Sequence, residues 1–282
     1  MLKLGRWLRQ HLLKLICLFP VVCCYAVGSV ALAGSPVSAT SQAQLTGLDI
    51  FTELDRRHNS NYVDFEVSLE MELRSKPDAS PKKRSLRIRQ IEAPDGDQVM
   101  VIFDAPKNVR GTALLTHTFP DKIDDQWLYL PAFARVKKIA SRSKAGAFAQ
   151  SQFSYEDLTV PYVDKYEYTL LGEESLDGLP CWRVERRAVV DYSGYSREEY
   201  WIDQAAYRTL KVHYFDGQGE LKKVLKLGDY RAYSDERWKP HHMHMQNVQT
   251  KRETTLIWQT YIFGTGLSSE RDFSVSSLRR AR

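Results

Sequence analysis

Cysteine is scarce in this chain of 282 residues: there are four, and Cys17, Cys23 and Cys24 all fall in one N-terminal apolar segment. Cys181 stands alone in the rest, so once that segment is removed no intrachain disulfide can staple the fold. Cys181 sits beside Trp182 at the start of an apolar-alternating run. It reads as a small core residue, since an activated thiol needs a basic partner that the sequence does not reveal. A paired CxxC, a glycine-rich phosphate loop and a nucleophile elbow are all missing. No Gly/Ser- or Pro-rich linker follows residue 45 and no internal repeat is visible, so one continuous domain is expected.

Positive charge is also scarcer than the totals suggest. There are 40 Lys+Arg against 35 Asp+Glu. Lys3, Arg6, Arg9 and Lys14 form a basic start, an uncharged apolar stretch runs from Leu15 to Leu32, and Ala31-Leu32-Ala33 ends it in a small-x-small pattern. Residues 1–33 are therefore expected to be a cleavable signal peptide, leaving Gly34 as the new N-terminus. The alternative is a retained membrane anchor, because the stretch is about long enough to cross a bilayer. Pro20, Gly28 and Ser29 interrupt it and favour removal. Lipidation at Cys23 or Cys24 is disfavoured because Val22 and Cys23 precede them where a small residue is needed. Removal leaves 36 basic against 35 acidic residues. A nearly neutral exported chain excludes nucleic-acid binding by a broad basic surface. The remaining basic clusters, Lys82-Lys83-Arg84, Arg135 to Lys144, and Arg279, Arg280 and Arg282, read as solvated turns and strand ends.

Residues 34–44 are small and polar and read as a flexible lead-in, with the single domain spanning 45–282. Leu45, Leu48, Phe51 and Leu54 recur at helical spacing and predict one amphipathic helix, closed by the polar run from Asp55 to Asn59. From Val63 the period drops to two. Val63, Phe65, Val67, Leu69, Met71 and Leu73 alternate with polar and acidic residues, the signature of a long half-buried strand in an antiparallel sheet. Similar runs recur to Phe263, separated by tight-turn sequences such as Asp95-Gly96-Asp97, Asp177-Gly178 and Asp216-Gly217. The reading is a mainly β (α+β) chain, a meander of about ten to twelve strands. Residues 141 to 160 break the alternation, and Ser154 with Asp157 three positions on predicts a capped short helix. Phe273, Val275 and Leu278 form a ragged apolar set. Both segments are expected to be lids or edge covers. A long sheet with one apolar face and so few helices to cover it leaves an apolar interior wide enough for a ligand.

Candidate chemistry is thin. His241-His242-x-His244 is the only metal-like cluster. On a strand His242 and His244 share a face while His241 points away, and a third ligand is lacking, so an ordinary strand is preferred to a metal site. Pairs such as Glu173-Glu174 and Glu198-Glu199 are adjacent in sequence, which does not make carboxylates converge. No catalytic residue and no cofactor is assigned. Trp127, Tyr129, Phe133, Phe148, Phe153 and Tyr155 surround the expected lid. Together with Val63, Phe65, Val67, Leu69, Met71 and Val184 they are candidates for either core or cavity wall, which share one composition.

The motifs resemble a known family. Asp124-Asp125-Gln126-Trp127-Leu128-Tyr129-Leu130-Pro131-Ala132, then Arg135-Val136-Lys137-Lys138-Ile139, then Gln152-Phe153-Ser154-Tyr155-Glu156-Asp157-Leu158 resemble the outer membrane lipoprotein-sorting protein family, related to LolA, LolB and RseB. Pro106 with Arg110-Gly111-Thr112, Gly178-Leu179-Pro180-Cys181-Trp182, Tyr200-Trp201-Ile202-Asp203 and Trp238-Lys239-Pro240 extend the resemblance across nearly the whole chain. It departs from the pattern at Ala149-Gln150-Ser151-Gln152, where relatives tend to carry glycine-serine-aspartate. The resemblance implies a strongly curved, unclosed antiparallel barrel of about 11 strands with helices covering its concave face. It implies residence in the periplasm and a non-enzymatic carrier or chaperone that holds acyl chains of lipoproteins or other lipid. Its partners would be an inner-membrane lipid transporter and an outer-membrane acceptor. Arg135, Lys137, Lys138, Arg142 and Lys144 are the candidates for meeting anionic headgroups. The alternatives are an RseB-like envelope-sensing module or transporter accessory subunit, and, more remotely, a metal-dependent enzyme.

Overall fold

A computed structural model describes residues 44–281, apart from 60, 61, 77, 190–192 and 235. The expected signal peptide, 1–33, and almost all of the lead-in lie outside the described residues.

Helix α1 (Gly47–His58) starts at Thr46, whose hydroxyl accepts from the Asp49 amide while the Asp49 carboxylate accepts from the Thr46 amide. Two orphan donors are thereby satisfied, and Arg56, Arg57 and His58 suit the negative end of the helix dipole. Its buried stripe is Gly47, Ile50, Phe51, Leu54 and His58, so Leu45 and Leu48, expected inside, face solvent. Gly47 permits this seat: a Cβ there would stand 2.9 Å from Val184 Cγ1.

Strands β1 (Asp64–Arg74), β2 (Lys82–Ala93), β3 (Gly96–Ala105), β4 (Ala113–Thr118), β5 (Asp125–Leu130) and β6 (Arg135–Lys138) form an antiparallel meander. After a crossing segment, β7 (Tyr166–Leu176), β8 (Leu179–Ala188), β9 (Arg197–Asp203), β10 (Thr209–Phe215), β11 (Leu221–Ala232), β12 (Trp238–Asn247) and β13 (Glu253–Trp258) form a second. β13 pairs with β1, with Leu69 opposite Trp258 and Met71 opposite Leu256, and so joins the meanders into one sheet. The short β14 (Ile262–Phe263) also pairs with β1. β6 and β7 end the sheet without pairing each other, so the barrel is open between them.

The described strands number fourteen, more than the expected eleven or so. β12 begins at Trp238, although Pro240 argues against a strand there. It is tolerated because β13 pairs only with His242 to Gln246, leaving Pro240 on an overhang. The last run divides into β13 and β14 because pairing to β1 lapses between Trp258 and Ile262.

The sheet buries both faces at β3. Val99, Val101 and Phe103 join the concave cluster with Ile50, Phe51, Leu54, Leu69, Met71 and Leu114. Met100 and Ile102 face the other way, into a convex cluster with Leu115, Phe273 and Leu278. The C-terminal segment, with α2 (Ser269–Asp272) and a closing 3-10 turn (Ser277–Arg280), thus covers the outside of the barrel.

Candidate functional site

The chain from Ile139 to Lys165 connects the two edge strands and crosses the concave face as a series of 3-10 turns. Ser154 and Asp157 cap one another: the Ser154 amide donates to Asp157 Oδ2 at 2.6 Å and the Asp157 amide to Ser154 Oγ at 3.4 Å. The helix so capped is a single 3-10 turn, Glu156–Leu158. Phe148 and Phe153 enter the core and are buried, with Phe148 against Phe103 at 5.6 Å between ring centroids. This segment is a lid with its own apolar underside.

Beneath it lie two adjoining cavities of about 340 Å³ each, which share a wall made by Leu54, Phe153, Asp157, Leu227 and Met243. One is apolar, walled by Phe65, Leu69, Met71, Leu86, Val99, Val101, Leu256 and Trp258. The other carries charge, from Asp124, Lys144, Glu156, Lys165, Arg186 and Glu198. A cleft of about 650 Å³ outside the lid is lined by Arg84, Lys107, Arg110, Phe133 and Tyr155, and by Phe148, which also lines the apolar cavity. Arg84 Nη1 donates to the lid carbonyl of Ala149.

The charges of the polar cavity are mostly paired. Arg186 meets Glu198 at 2.5 Å, Tyr200 donates to the same carboxylate at 2.7 Å, and the guanidinium lies 4.0 Å from the Tyr166 ring centroid. Lys165 Nζ donates to Asp124 Oδ1, and Lys144 Nζ to the Asp124 carbonyl, each at 2.5 Å. Lys223 Nζ donates to the Tyr195 hydroxyl at 2.7 Å, and that hydroxyl donates to Asp157 at 3.0 Å. Burial lowers the pKa of both Lys144 and Lys223. Glu156 is different: its carboxylate oxygens accept from the Gly194 amide, each at 3.1 Å, and from the Ser193 side chain. Burial, and then the charge of Asp157, raise its pKa to about 7. Gly194 is required for that approach, since a Cβ there would lie 2.7 Å from Glu156 Oε1.

The sequence candidates divide by face. Phe65, Leu69, Met71, Phe148 and Phe153 line the apolar cavity. Val67 is buried beside it among Tyr62, Phe65 and Tyr261. Val184 is packed under α1. Tyr155 and Phe133 line the outer cleft, with Phe133 72% exposed at the β5–β6 turn. Val63 is 64% exposed just before β1. Trp127 and Tyr129 lie on the convex face beside Phe273 and Leu278. Alternation fixes which residues share a face, but not which face is concave. Of the basic candidates, Lys144 lines the polar cavity, whereas Arg135, Lys137, Lys138 and Arg142 are exposed outside it. β6 is an edge strand, so its charges point to water. His241 is buried between Tyr233 and Trp258, with Nε2 at 2.8 Å from the Tyr233 hydroxyl. His242 is exposed and His244 Nδ1 pairs with Thr255 Oγ1 at 3.0 Å. Among the described residues no cluster of three potential metal ligands exists. Glu198, chosen in sequence only as half of an adjacent pair, is a cavity residue. Lys239, which also lines the apolar cavity, carried no sequence signal beyond its place in a motif.

An open antiparallel half-barrel with a lid over a concave, largely apolar cavity defines the structural class. A structure described as a putative outer membrane lipoprotein-sorting protein domain from Vibrio parahaemolyticus is 39% identical, with a TM-score of 0.79, covering 83% of this chain and 98% of that one. The chain belongs to the outer membrane lipoprotein-sorting protein family. A DUF1329 family protein from Desulfovibrio piger is 27% identical at a TM-score of 0.77, covering 82% and 97%. A LolA superfamily protein from Nitrosomonas europaea, 17% identical at a TM-score of 0.66 and covering 82% and 98%, shares the fold. A family model described only as that of an uncharacterized protein matches residues 95–280. No curated protein matches the chain. No helix of the described residues is long and apolar enough to cross a membrane.

Proposed function

We propose that this protein is a periplasmic carrier that shields the hydrocarbon chain of a lipoprotein or lipid in the cavity under its lid and passes it between envelope components, with no covalent step. The observation that carries this reading is the apolar cavity roofed by Phe148 and Phe153. Each methylene moved from water into such a site is stabilised by about 0.8 kcal/mol. A chain of a dozen carbons therefore gains on the order of 10 kcal/mol before ordering costs are subtracted. The lid must then open for exchange. It is joined to the sheet mainly by side-chain contacts, with Gln152 donating to Thr254 Oγ1 and Gly194 to Glu156. Such contacts can break without unfolding the barrel. An inner-membrane transporter and an outer-membrane acceptor would be the donor and recipient.

Transfer of a fluorescent acyl lipid or an acylated peptide between donor and acceptor vesicles tests the proposal. A carrier accelerates transfer in proportion to its concentration and leaves the vesicles intact. If the protein neither takes up nor transfers either probe, yet binds a membrane protein stoichiometrically, the fold serves as a sensing module instead.

A further inference from the structure

Strand β12 turns Lys239, His241, Met243 and Met245 toward the concave side, while His242 and His244 face out. Three charged residues line the apolar cavity: Asp157, Arg208 and Lys239. Asp157 is 3.7 Å from Lys223, and Arg208 Nε donates to Asp203 Oδ2 at 2.8 Å. Lys239 has no carboxylate partner among the described residues. Its Nζ donates to the His58 carbonyl at 2.6 Å, at the C-terminal end of α1, and lies 5.9 Å from the ring centroids of both Tyr62 and Phe65. An ammonium has three donors, and this one uses a single neutral acceptor.

No carboxylate among the described residues forms an ion pair with that charge, and the groups around it offset it only in part. His58 is neutral: its Nδ1 accepts from the Trp238 amide at 3.2 Å, its Nε2 faces the Ala206 carbonyl at 2.9 Å, and burial lowers its pKa to about 4. Arg237 and Arg57 add positive charge nearby, and Asp55 is the acid whose field reaches Lys239. Burial brings the Lys239 ammonium down to about 8, so it remains mostly charged at neutral pH. A cation at the end of a hydrocarbon-lined cavity bears a desolvation cost that an anionic guest would relieve.

We infer that Lys239 is the headgroup anchor of the cavity, and that the cargo is an amphiphile whose polar end is anionic, a carboxylate or phosphate, with its chain running along Leu69, Met71 and Leu256. This rests on the carrier reading and names its substrate class. The site selects by charge at one end and by hydrocarbon at the other. An alcohol of the same chain length keeps the second contribution and forfeits the first.

Dodecanoate, dodecyl phosphate and dodecanol, titrated into delipidated protein by calorimetry, give the test. Wild-type protein is expected to bind both anions at least tenfold tighter than the alcohol, since a hydrogen bond to a charged group is worth about 1.5 kcal/mol or more. Lys239→Met is expected to remove that preference while keeping the alcohol affinity, and Lys239→Arg to retain it. Lys239→Gln, which keeps a donor for the His58 carbonyl, is the control should the methionine variant fold poorly, and it too should lose the preference. Equal wild-type affinity for anion and alcohol, or a preference that survives Lys239→Gln, overturns the assignment and leaves the carrier reading standing. Binding of none of the three probes overturns both. Preference for one anion over the other identifies the headgroup.

Discussion

Asp157 on the lid and Lys223 on β11 face each other at 3.7 Å, both more than nine-tenths buried. The pair is the charged part of the seam between lid and sheet, and the Tyr195 hydroxyl bridges it. Their attraction is bought by desolvation, so removing one partner costs more than removing both.

Lys223→Met is expected to destabilise the fold by about 3 kcal/mol, because it leaves the buried Asp157 carboxylate without its cation. The double variant with Asp157→Asn should recover part of that loss. Urea denaturation of the two single variants and the double gives the coupling directly.

Glu156 makes stability depend on pH. Its folded pKa, about 7, lies above its ordinary value of 4.5. The folded chain therefore binds this proton more tightly than the unfolded one. The associated stability is full below pH 4.5 and is lost as pH rises through about 7. Glu156→Gln keeps an acceptor for the Gly194 amide and should flatten the decline of the urea midpoint across that window.

Phe153 lines both cavities and is 5% exposed. Phe153→Ala is expected to cost about 3–5 kcal/mol, as large-to-small core changes do, and to merge the cavities. Thermal unfolding measures the loss. A lipid titration should show weaker retention because the roof has lost its anchor.

How far the sequence foretold this depended on what each signal encodes. The alternation from Phe65 to Leu73 specifies β1 and its buried side, and the break over residues 141 to 160 specifies the lid, because period and its absence are local properties. Ser154 and Asp157 announced their cap for the same reason. Which face curls inward is a property of the whole sheet. Trp127 and Tyr129, candidates in the sequence for either core or cavity wall, accordingly turn out to lie under the C-terminal cover. Positive charge between Arg135 and Lys144 drew attention as a headgroup site, yet β6 is an edge and most of its charge faces water. Lys239 stands out in the sequence only as part of the Trp238-Lys239-Pro240 motif, which does not say which face it takes. Its inward aim follows only from the register that puts Met243 opposite Leu256.

Met243 stands in the wall shared by both cavities and is only partly buried. Met243→Trp is expected to fill that space at a cost of about 1–3 kcal/mol. Native mass spectrometry of wild-type and Met243→Trp protein, purified from the native envelope without detergent, tests the central claim most directly. The account predicts an amphiphile adduct on the wild-type chain that is lost or sharply reduced in the variant. A wild-type chain found only at its bare mass, which also takes up no lipid from vesicles, would contradict it.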